Sequence, residues 1–344
     1  MKALVYQGGG AKSWTDRPDP EIADATDAII RVDAVTICGT DLHILKGDVP
    51  AVTPGRILGH EAVGTIVEVG DAVSTLLPGD RVVASCISAC GRCEYCRSTR
   101  YGQCRGGGGW ILGHTSDGVQ AEYARIPFAD LSAFKLPDGL AADKAVLLAD
   151  ILPTSYEVGV LNGHVKPGDT VVIVGAGPIG LAAIITAKLF SPSRIIAVEP
   201  APVRREAAKL FGADVTVAPG EEAVEMVAAC TTDGADVVME AVGTPAAFEM
   251  CTRLVRPGGH VANIGVHGAP ATLHLEDLWI RDVTITTGLV DTSTTPTLLR
   301  MLAAGQFDVD HMITHRFELG DIETAYDTFA HASGTGALKV LLTA

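Results

Sequence analysis

From residue 168 onward, short apolar runs alternate with helical stretches, and this alternation constrains the fold more than any other feature. The apolar runs are TVVIVG (170–175), RIIAVE (194–199), DVTVA (214–218), DVVMEAVG (236–243), HVANIG (260–265) and VTITTG (283–288). The first four are separated by LAAIITAKLF (181–190), VRREAAKLFG (203–212) and EEAVEMVAAC (221–230), which have helical composition. Strands and helices in alternation form a parallel sheet covered on both faces. The sequence therefore predicts a doubly wound α/β domain here.

A glycine-rich turn, GAGPIG (175–180), joins the first of these strands to the first helix. Glycines let backbone approach a ligand closely, and a helix N-terminus offers free N–H groups to a pyrophosphate. Glu199 ends the next strand, near the spacing of about 20 residues expected for the carboxylate that bonds the adenosine ribose. This order predicts a dinucleotide site and favours NAD over NADP, although Arg204 and Arg205 weaken that preference. Alternatively, GAGPIG is only a tight turn and Glu199 a solvated strand end.

The first 150 residues have a different texture, rich in Gly, Pro and alternating apolar residues. The segments AIIRVDAV (28–35), AVGTIVEVG (62–70) and DRVVAS (80–85), with turns such as LPGD (77–80), predict antiparallel strands. The C-terminal stretch returns to this mixed texture and ends in an apolar strand, LKVLLT (338–343). We therefore expect one β-rich domain from residues 1–150 and 291–344, interrupted by the α/β domain of residues 151–290.

Charge and hydropathy exclude several classes of partner. The formal net charge of −15 opposes binding to nucleic acid, because that affinity depends on Lys and Arg neutralising phosphates. The uncharged run from 171 to 187 is shorter than the roughly 20 residues that a bilayer requires, and GAGPIG would break it. The opening MKALVYQGGG lacks the apolar core of a signal peptide. We expect a cytoplasmic protein with no membrane partner.

Four of the eight cysteines lie close together in CGRCEYCRSTRYGQC (90–104). Cytoplasmic thiols stay reduced, so a disulfide framework is the weaker interpretation. The spacing suits a closed, structural zinc site formed by four thiolates, Cys90, Cys93, Cys96 and Cys104. An iron–sulfur cluster is also held by four cysteines and stays an alternative. Cys86 is near enough in sequence that it could exchange with one of the four.

A second set of possible metal ligands is spread through TICGTDLHI (36–44), GHE (59–61) and LLADILPTSYE (147–157). Cys38, His60 and either Glu61 or Asp150 offer a thiolate, an imidazole and a carboxylate. Catalytic zinc sites use three protein ligands and leave the fourth position open. Single Cys and His residues are also common in protein cores, so spacing alone leaves both interpretations open.

These motifs together resemble a known family. TICGTDLHI, GHEAVGTIVEVG, PGDRV, the four-cysteine loop and VGAGPIG, in this order, are similar to the zinc-dependent alcohol dehydrogenases of the medium-chain dehydrogenase/reductase superfamily. Asp150 resembles the bacterial secondary-alcohol branch of that family. The resemblance covers essentially the whole chain. It implies a GroES-like catalytic domain, a Rossmann domain with a cleft between the two, two Zn²⁺ per chain, NAD, and a homotetramer, with a dimer as second choice.

The resemblance also implies roles for individual residues. Cys38, His60 and Asp150 match the catalytic-zinc ligands, and the four clustered cysteines match the structural site. Asp41 matches the carboxylate that orients the zinc-bound imidazole, and Glu61 an acid that enters the zinc shell in some members. Thr40 and His43 match a proton relay. The residues implied to bind NAD are Thr154, Gly175, Gly177, Pro178, Ile179, Gly180, Glu199 and Arg204.

The activity implied by the resemblance is hydride transfer between NAD and small or medium alcohols, primary or secondary, giving aldehydes or ketones. Polyol dehydrogenases of the sorbitol type, threonine dehydrogenases and formaldehyde–thiol dehydrogenases share nearly the same motifs. Apolar residues near the expected pocket, Trp110, Ile111 and Leu112, weigh against polyols. A non-catalytic NAD-binding sensor is a more distant alternative. Quinone or enone reductases without zinc lack both the cysteine loop and GHE.

Overall fold

A computed structural model describes residues 1–344, and its strands form three sheets. In chain order the fifteen strands are β1 (Lys2–Gly8), β2 (Ala11–Asp16), β3 (Ala28–Thr36), β4 (Ala62–Val69), β5 (Arg81–Ala84), β6 (Tyr123–Ile126), β7 (Ala133–Lys135), β8 (Thr170–Val174), β9 (Arg194–Val198), β10 (Val215–Val217), β11 (Ala235–Glu240), β12 (Val255–Asn263), β13 (Thr284–Thr287), β14 (Ile313–Glu318) and β15 (Lys339–Thr343).

Most of the longer helices lie in the second half of the chain. The thirteen helices are α1 (Gly39–Lys46), α2 (Glu94–Arg97), α3 (Ala129–Ser132), α4 (Ala142–Ala145), α5 (Ile151–Thr154), α6 (Pro178–Lys188), α7 (Pro202–Phe211), α8 (Glu221–Cys230), α9 (Pro245–Leu254), α10 (Leu275–Leu278), α11 (Thr295–Ala303), α12 (Ile322–Ala330) and α13 (Ala332–Thr335). Short 3₁₀ turns occupy Tyr101–Gln103, Val146–Leu148 and Leu319–Asp321, and Ser155–Leu161 forms a π-helical turn. No helix is long and apolar enough to cross a membrane.

The chain divides into two compact units. The first consists of Met1–Pro153 together with Val290–Ala344, and the second of Thr154–Leu289. The first unit is therefore discontinuous in sequence, since the chain leaves it within α5 and returns to it before α11.

The first unit is built on a seven-stranded sheet in the order β14-β15-β3-β4-β5-β7, with β6 also paired to β3. β15 runs antiparallel to β3, so the last strand of the chain lies beside one of the first. The runs at 28–35, 62–70, 80–85 and 338–343 all form strands, as predicted. Their apolar residues fill a core that includes Ile30, Val35, Leu58, Val82 and Leu342.

The second unit contains six parallel strands in the order β10-β9-β8-β11-β12-β13. The predicted doubly wound α/β sheet is confirmed. β8 is buried along its whole length, as expected of a central strand covered on both faces. The strand order reverses between β8 and β11, and nucleotides bind beyond the carboxyl ends of the strands at such a reversal.

Candidate active site and metal centres

Three separate segments of the first unit meet at one cluster of metal-ligating side chains. Cys38 directly precedes α1, His60 and Glu61 directly precede β4, and Asp150 directly precedes α5. One ligand atom from each of these four residues lies within 4.8 Å of the others. The fold therefore brings Cys38 and His60 together, as the sequence predicts. Glu61 and Asp150, which the sequence offered as alternatives, both lie in the cluster.

The spacing of this cluster fits a tetrahedral ion. Asp150 Oδ2 lies 3.5 Å from Cys38 Sγ and 3.5 Å from His60 Nε2. Sulfur, nitrogen and oxygen ligands at zinc bond lengths are separated by about 3.3–3.5 Å in a tetrahedral arrangement. Burial raises the pKa of the Cys38 thiol, and the carboxylates of Glu61 and Asp150 raise it further. A divalent cation would offset this concentration of acidic groups, so the residues fit zinc.

A buried lysine that the sequence analysis missed holds Glu61. Lys339, on β15, is 1% exposed and donates from Nζ to Glu61 Oε2 and to Ile37 O, the latter at 3.1 Å. The Thr36 hydroxyl donates to the same Glu61 oxygen. Burial lowers the pKa of Lys339, but Glu61, Cys38 and Asp150 together raise it, and the net shift is upward. Glu61 Oε1 has no hydrogen-bond partner.

Asp41 faces the far side of the His60 ring. Asp41 Oδ1 lies 3.7 Å from His60 Nδ1, while His60 Nε2 faces Asp150. Asp41 is fully buried, and its Oδ2 accepts the N–H of Cys38 at 2.9 Å. A carboxylate opposite Nδ1 favours a proton on that nitrogen and leaves the Nε2 lone pair free for a metal.

The two residues of the implied proton relay both lie on α1. Thr40 Oγ1 is 3.7 Å from Cys38 Sγ, so Thr40 borders the metal cluster. The His43 side chain is 30% exposed, and its Nδ1 lies 2.8 Å from Asp48 Oδ2. The helix thus carries one residue at the cluster and one at the solvent boundary.

The four clustered cysteines form a second group with metal-ligand spacing. Their sulfur atoms all lie within 4.8 Å of one another. The Sγ atoms of Cys90 and Cys96 are 3.9 Å apart, close to the separation of about 3.8 Å expected for two thiolates on one zinc. The N–H groups of Cys96 and Arg105 lower the pKa of the Cys93 thiol to about 6, which favours the thiolate. The four thiols therefore fit a closed metal site.

Cys86 and Trp110 lie beside the first cluster. The Cys86 thiol is buried, with Sγ 3.7 Å from Asp150 Oδ1, and it is absent from the four-cysteine group. An exchange of Cys86 with one of the four cysteines stays a prediction. The Trp110 ring meets the His60 ring edge-on at 6.3 Å between centroids. His114, for which the sequence indicates no role, stacks on Trp110 at 4.2 Å.

In the second unit, two glycines of GAGPIG meet steric demands of the turn, and the third borders open space. Gly175 has φ +101°, a left-handed conformation, and a Cβ on Gly180 would lie only 1.9 Å from Gly175 O. Gly177 caps α6, and no atom lies within 4 Å of where its Cβ would be. Pro178 opens the helix, and the Ser155 hydroxyl donates to Ile179 O at 2.9 Å. Open space above the helix N-terminus leaves room for a phosphate.

Glu199 closes one side of a cavity beside this turn. The cavity has a volume of about 390 Å³, and Gly175, Gly177, Glu199 and Arg204 are among the residues that line it. The Glu199 carboxylate is 4% exposed and accepts the N–H groups of Ala176 and Ala201, each at 2.9 Å. The site thus has a fixed negative charge at the end of β9. Thr154 does not line this cavity.

Comparison with known families agrees with the fold. Residues 24–138 match the family described as "Alcohol dehydrogenase GroES-like domain", and residues 178–304 match "Zinc-binding dehydrogenase". The matches place a GroES-like domain in the first unit and the zinc-binding dehydrogenase domain around the parallel sheet. Together they define a medium-chain, zinc-binding dehydrogenase.

Individual relatives match over the full length of the chain. An alcohol dehydrogenase of Cupriavidus necator is 35% identical over 99% of this chain and 98% of its own length. The structure of zinc dependent alcohol dehydrogenase 2 from Streptococcus pneumonia is 45% identical, with a TM-score of 0.95 over 100% of this chain and 98% of that one. A zinc-binding dehydrogenase structure from Sinorhizobium meliloti, bound to NADP, is 30% identical, with a TM-score of 0.88 over 100% and 99%. The chain belongs to the zinc-dependent alcohol dehydrogenases and is an alcohol oxidoreductase.

Proposed function

We propose that the chain interconverts small or medium alcohols with their aldehydes or ketones, with NAD as hydride carrier and two zinc ions per chain. The observation that carries this proposal is the meeting of Cys38, His60 and Asp150 from three segments at zinc-ligand spacing. In this proposal the first unit is the catalytic domain and the second unit is the nucleotide-binding domain.

One zinc is assigned to Cys38, His60 and Asp150, and the other to the four clustered cysteines. Bound in the first site, zinc would act as a Lewis acid on an alcohol or carbonyl oxygen. Asp41 keeps His60 in the tautomer that offers Nε2 to the metal. Glu61, paired with Lys339, keeps one carboxylate oxygen within reach of the same site.

Proton movement is assigned to α1. The Thr40 hydroxyl, beside Cys38, receives the hydroxyl proton of the alcohol and passes it towards the surface. His43 hands the proton to solvent, and Asp48 stabilises the imidazolium that forms for a moment. A bound NAD would offer its nicotinamide ribose hydroxyls as further hydrogen-bonding groups for this relay.

NAD is favoured over NADP by the charge of Glu199. A buried carboxylate can bond the ribose hydroxyls of NAD, whereas it repels the 2′-phosphate of NADP. Arg204 lines the same cavity and is proposed to contact the adenosine ribose. Thr154 is proposed to contact the nicotinamide. The Sinorhizobium meliloti relative is bound to NADP, so kinetics with both cofactors test the preference proposed for this chain.

A homotetramer in the cytoplasm completes the proposal, with a dimer as second choice. Trp279 and Ile280 are 74% and 70% exposed, and large exposed apolar side chains often mark contact surfaces. Light scattering of the purified protein gives the mass directly.

Activity assays test the proposal with matched cysteine variants. The zinc-loaded protein should oxidise 2-propanol or benzyl alcohol with NAD faster than sorbitol or threonine. Cys38→Ser should lower kcat/KM by roughly 1000-fold or more, because it removes a ligand of the reacting centre, while NAD binding persists. Cys251→Ser, which changes a buried thiol of the second unit, should keep activity. Full activity in Cys38→Ser would contradict the assignment.

A further inference from the structure

A buried tyrosine from the C-terminal part of the chain reaches towards the metal cluster. Tyr326, on α12, is 1% exposed, and its hydroxyl donates to Gln120 Oε1 at 2.7 Å. Neither residue belongs to a sequence motif that indicates the active site. Their contact joins the returning segment of the first unit to the loop that precedes β6.

Gln120 also contacts Asp41. The Gln120 side chain is fully buried, and its Nε2 donates to Asp41 Oδ2 at 3.2 Å and to Thr36 O at 3.4 Å. An ionised carboxylate only accepts hydrogen bonds, so the amide must turn its NH₂ group towards Asp41. The carbonyl oxygen then faces Tyr326, whose hydroxyl donates to it. Tyr326 thereby stabilises the amide in the orientation that Asp41 requires.

Gln120 packs against Gly59, the residue that precedes His60. Gly59 has φ +90°, and a Cβ there would lie 2.4 Å from Gln120 Cγ. The Gln120 N–H also donates to Leu58 O at 2.9 Å. The glycine of GHE therefore leaves space for Gln120 directly against the backbone that carries His60.

We propose that Tyr326 and Gln120 are positioning residues for His60, acting through Asp41. The Cys38 N–H and the Gln120 amide both bind Asp41 Oδ2, which leaves Oδ1 as the oxygen that faces His60 Nδ1. Without the tyrosine hydroxyl, the amide carbonyl loses its donor, and the NH₂ group is held less firmly against Asp41 Oδ2. Asp41 can then shift, and the carboxylate oxygen that faces His60 Nδ1 is no longer fixed. This inference rests on the metal site of the proposed function.

A purely structural role for Tyr326 predicts a different result. If the Tyr326 side chain only fills the core, Tyr326→Phe would change the free energy of unfolding and would leave the metal affinity unchanged. Tyr6, on β1, is 7% exposed and belongs to the same core cluster, so Tyr6→Phe is a matched control for Tyr326→Phe. Each substitution removes one hydroxyl from a buried ring.

Cobalt-substituted protein gives a readout that does not depend on turnover. We expect Tyr326→Phe to weaken cobalt binding at the cluster about 10-fold. Substitutions of residues that orient a metal ligand typically lower metal affinity by roughly 10- to 100-fold. Chelator competition measures the affinity, and a shifted ligand-field absorption band reports the disturbed His60. Tyr6→Phe should change neither quantity. Gln120→Leu should weaken binding at least as much as Tyr326→Phe.

Two outcomes separate this inference from the proposed function. Unchanged cobalt affinity and absorption in Tyr326→Phe would overturn the inference, whether or not Gln120→Leu folds. Cys38→Ser identifies the absorption that belongs to the cluster, because it removes one of the proposed ligands. If Cys38→Ser alters neither cobalt content nor absorption, the metal site of the proposed function is wrong instead.

Discussion

At the scale of single residues, burial determines the chemistry of the cluster. Cys38, His60, Asp41 and Glu61 are all at most 9% exposed, and burial raises the pKa of both Cys38 and Asp41. Lys339 is the one buried cation beside them that is charged irrespective of metal. A bound divalent ion lowers the pKa of a thiol ligand, so it supplies the charge that this arrangement of acids requires.

The cofactor preference depends on one residue. We expect Glu199→Gln to lower the ratio of kcat/KM for NAD over NADP by about 10-fold, corresponding to roughly 1.4 kcal/mol, because repulsion of the 2′-phosphate is removed. Steady-state kinetics with both cofactors measures the ratio. Glu206→Gln, at an exposed carboxylate on α7 that pairs with Lys209, serves as control. An unchanged ratio in Glu199→Gln, or a wild-type preference for NADP, contradicts the role given to Glu199.

At the scale of elements, periodicity predicted the strands and helices well but not the contacts across them. The runs at 170–175, 194–199 and 236–243 became β8, β9 and β11, since continuous apolar runs suit strands buried on both faces. Lys339 lies in a run that predicts only an apolar strand, and its partner Glu61 is distant in sequence. Tyr326 and Gln120 are likewise far apart in sequence, with a separation of 206 residues. Such pairs depend on tertiary structure and carry no local pattern.

The four-cysteine loop should behave as an independent metal-stabilised element. We expect Cys93→Ser to lose one zinc per chain and to lower Tm by about 5–10 °C, since 1 kcal/mol corresponds to about 2–4 °C at this size. Elemental analysis and calorimetry measure these changes, and trypsin should cleave faster at Arg97 and Arg100. Cys230→Ser is the control.

The same experiment distinguishes zinc from an iron–sulfur cluster. An iron–sulfur cluster would be identified by iron and visible absorption in the wild-type protein that are both lost in Cys93→Ser. Unchanged zinc content and unchanged proteolysis in Cys93→Ser would contradict a metal site in this loop.

At the scale of the whole molecule, the sequence order of the motifs predicted more than any one motif did. A single Cys and a single His could both have been core residues, and only their order with the cysteine loop and GAGPIG indicated a dehydrogenase. Cys38, His60 and Asp150 lie close together in the structure, although each of them precedes a different helix or strand. The returning segment of the first unit adds Lys339 to this cluster, since β15 pairs with β3 and carries the lysine that binds Glu61.

Cys38, His60 and Asp150 are proposed to hold one zinc ion together. Anomalous diffraction at the zinc absorption edge, from crystals of the zinc-loaded protein, locates that ion. We expect two peaks per chain, one among the four clustered cysteines and one about 2.0–2.3 Å from Cys38 Sγ, His60 Nε2 and an Asp150 oxygen. A zinc-loaded crystal with no peak at the second position, or with a peak that those three side chains do not share, would contradict it.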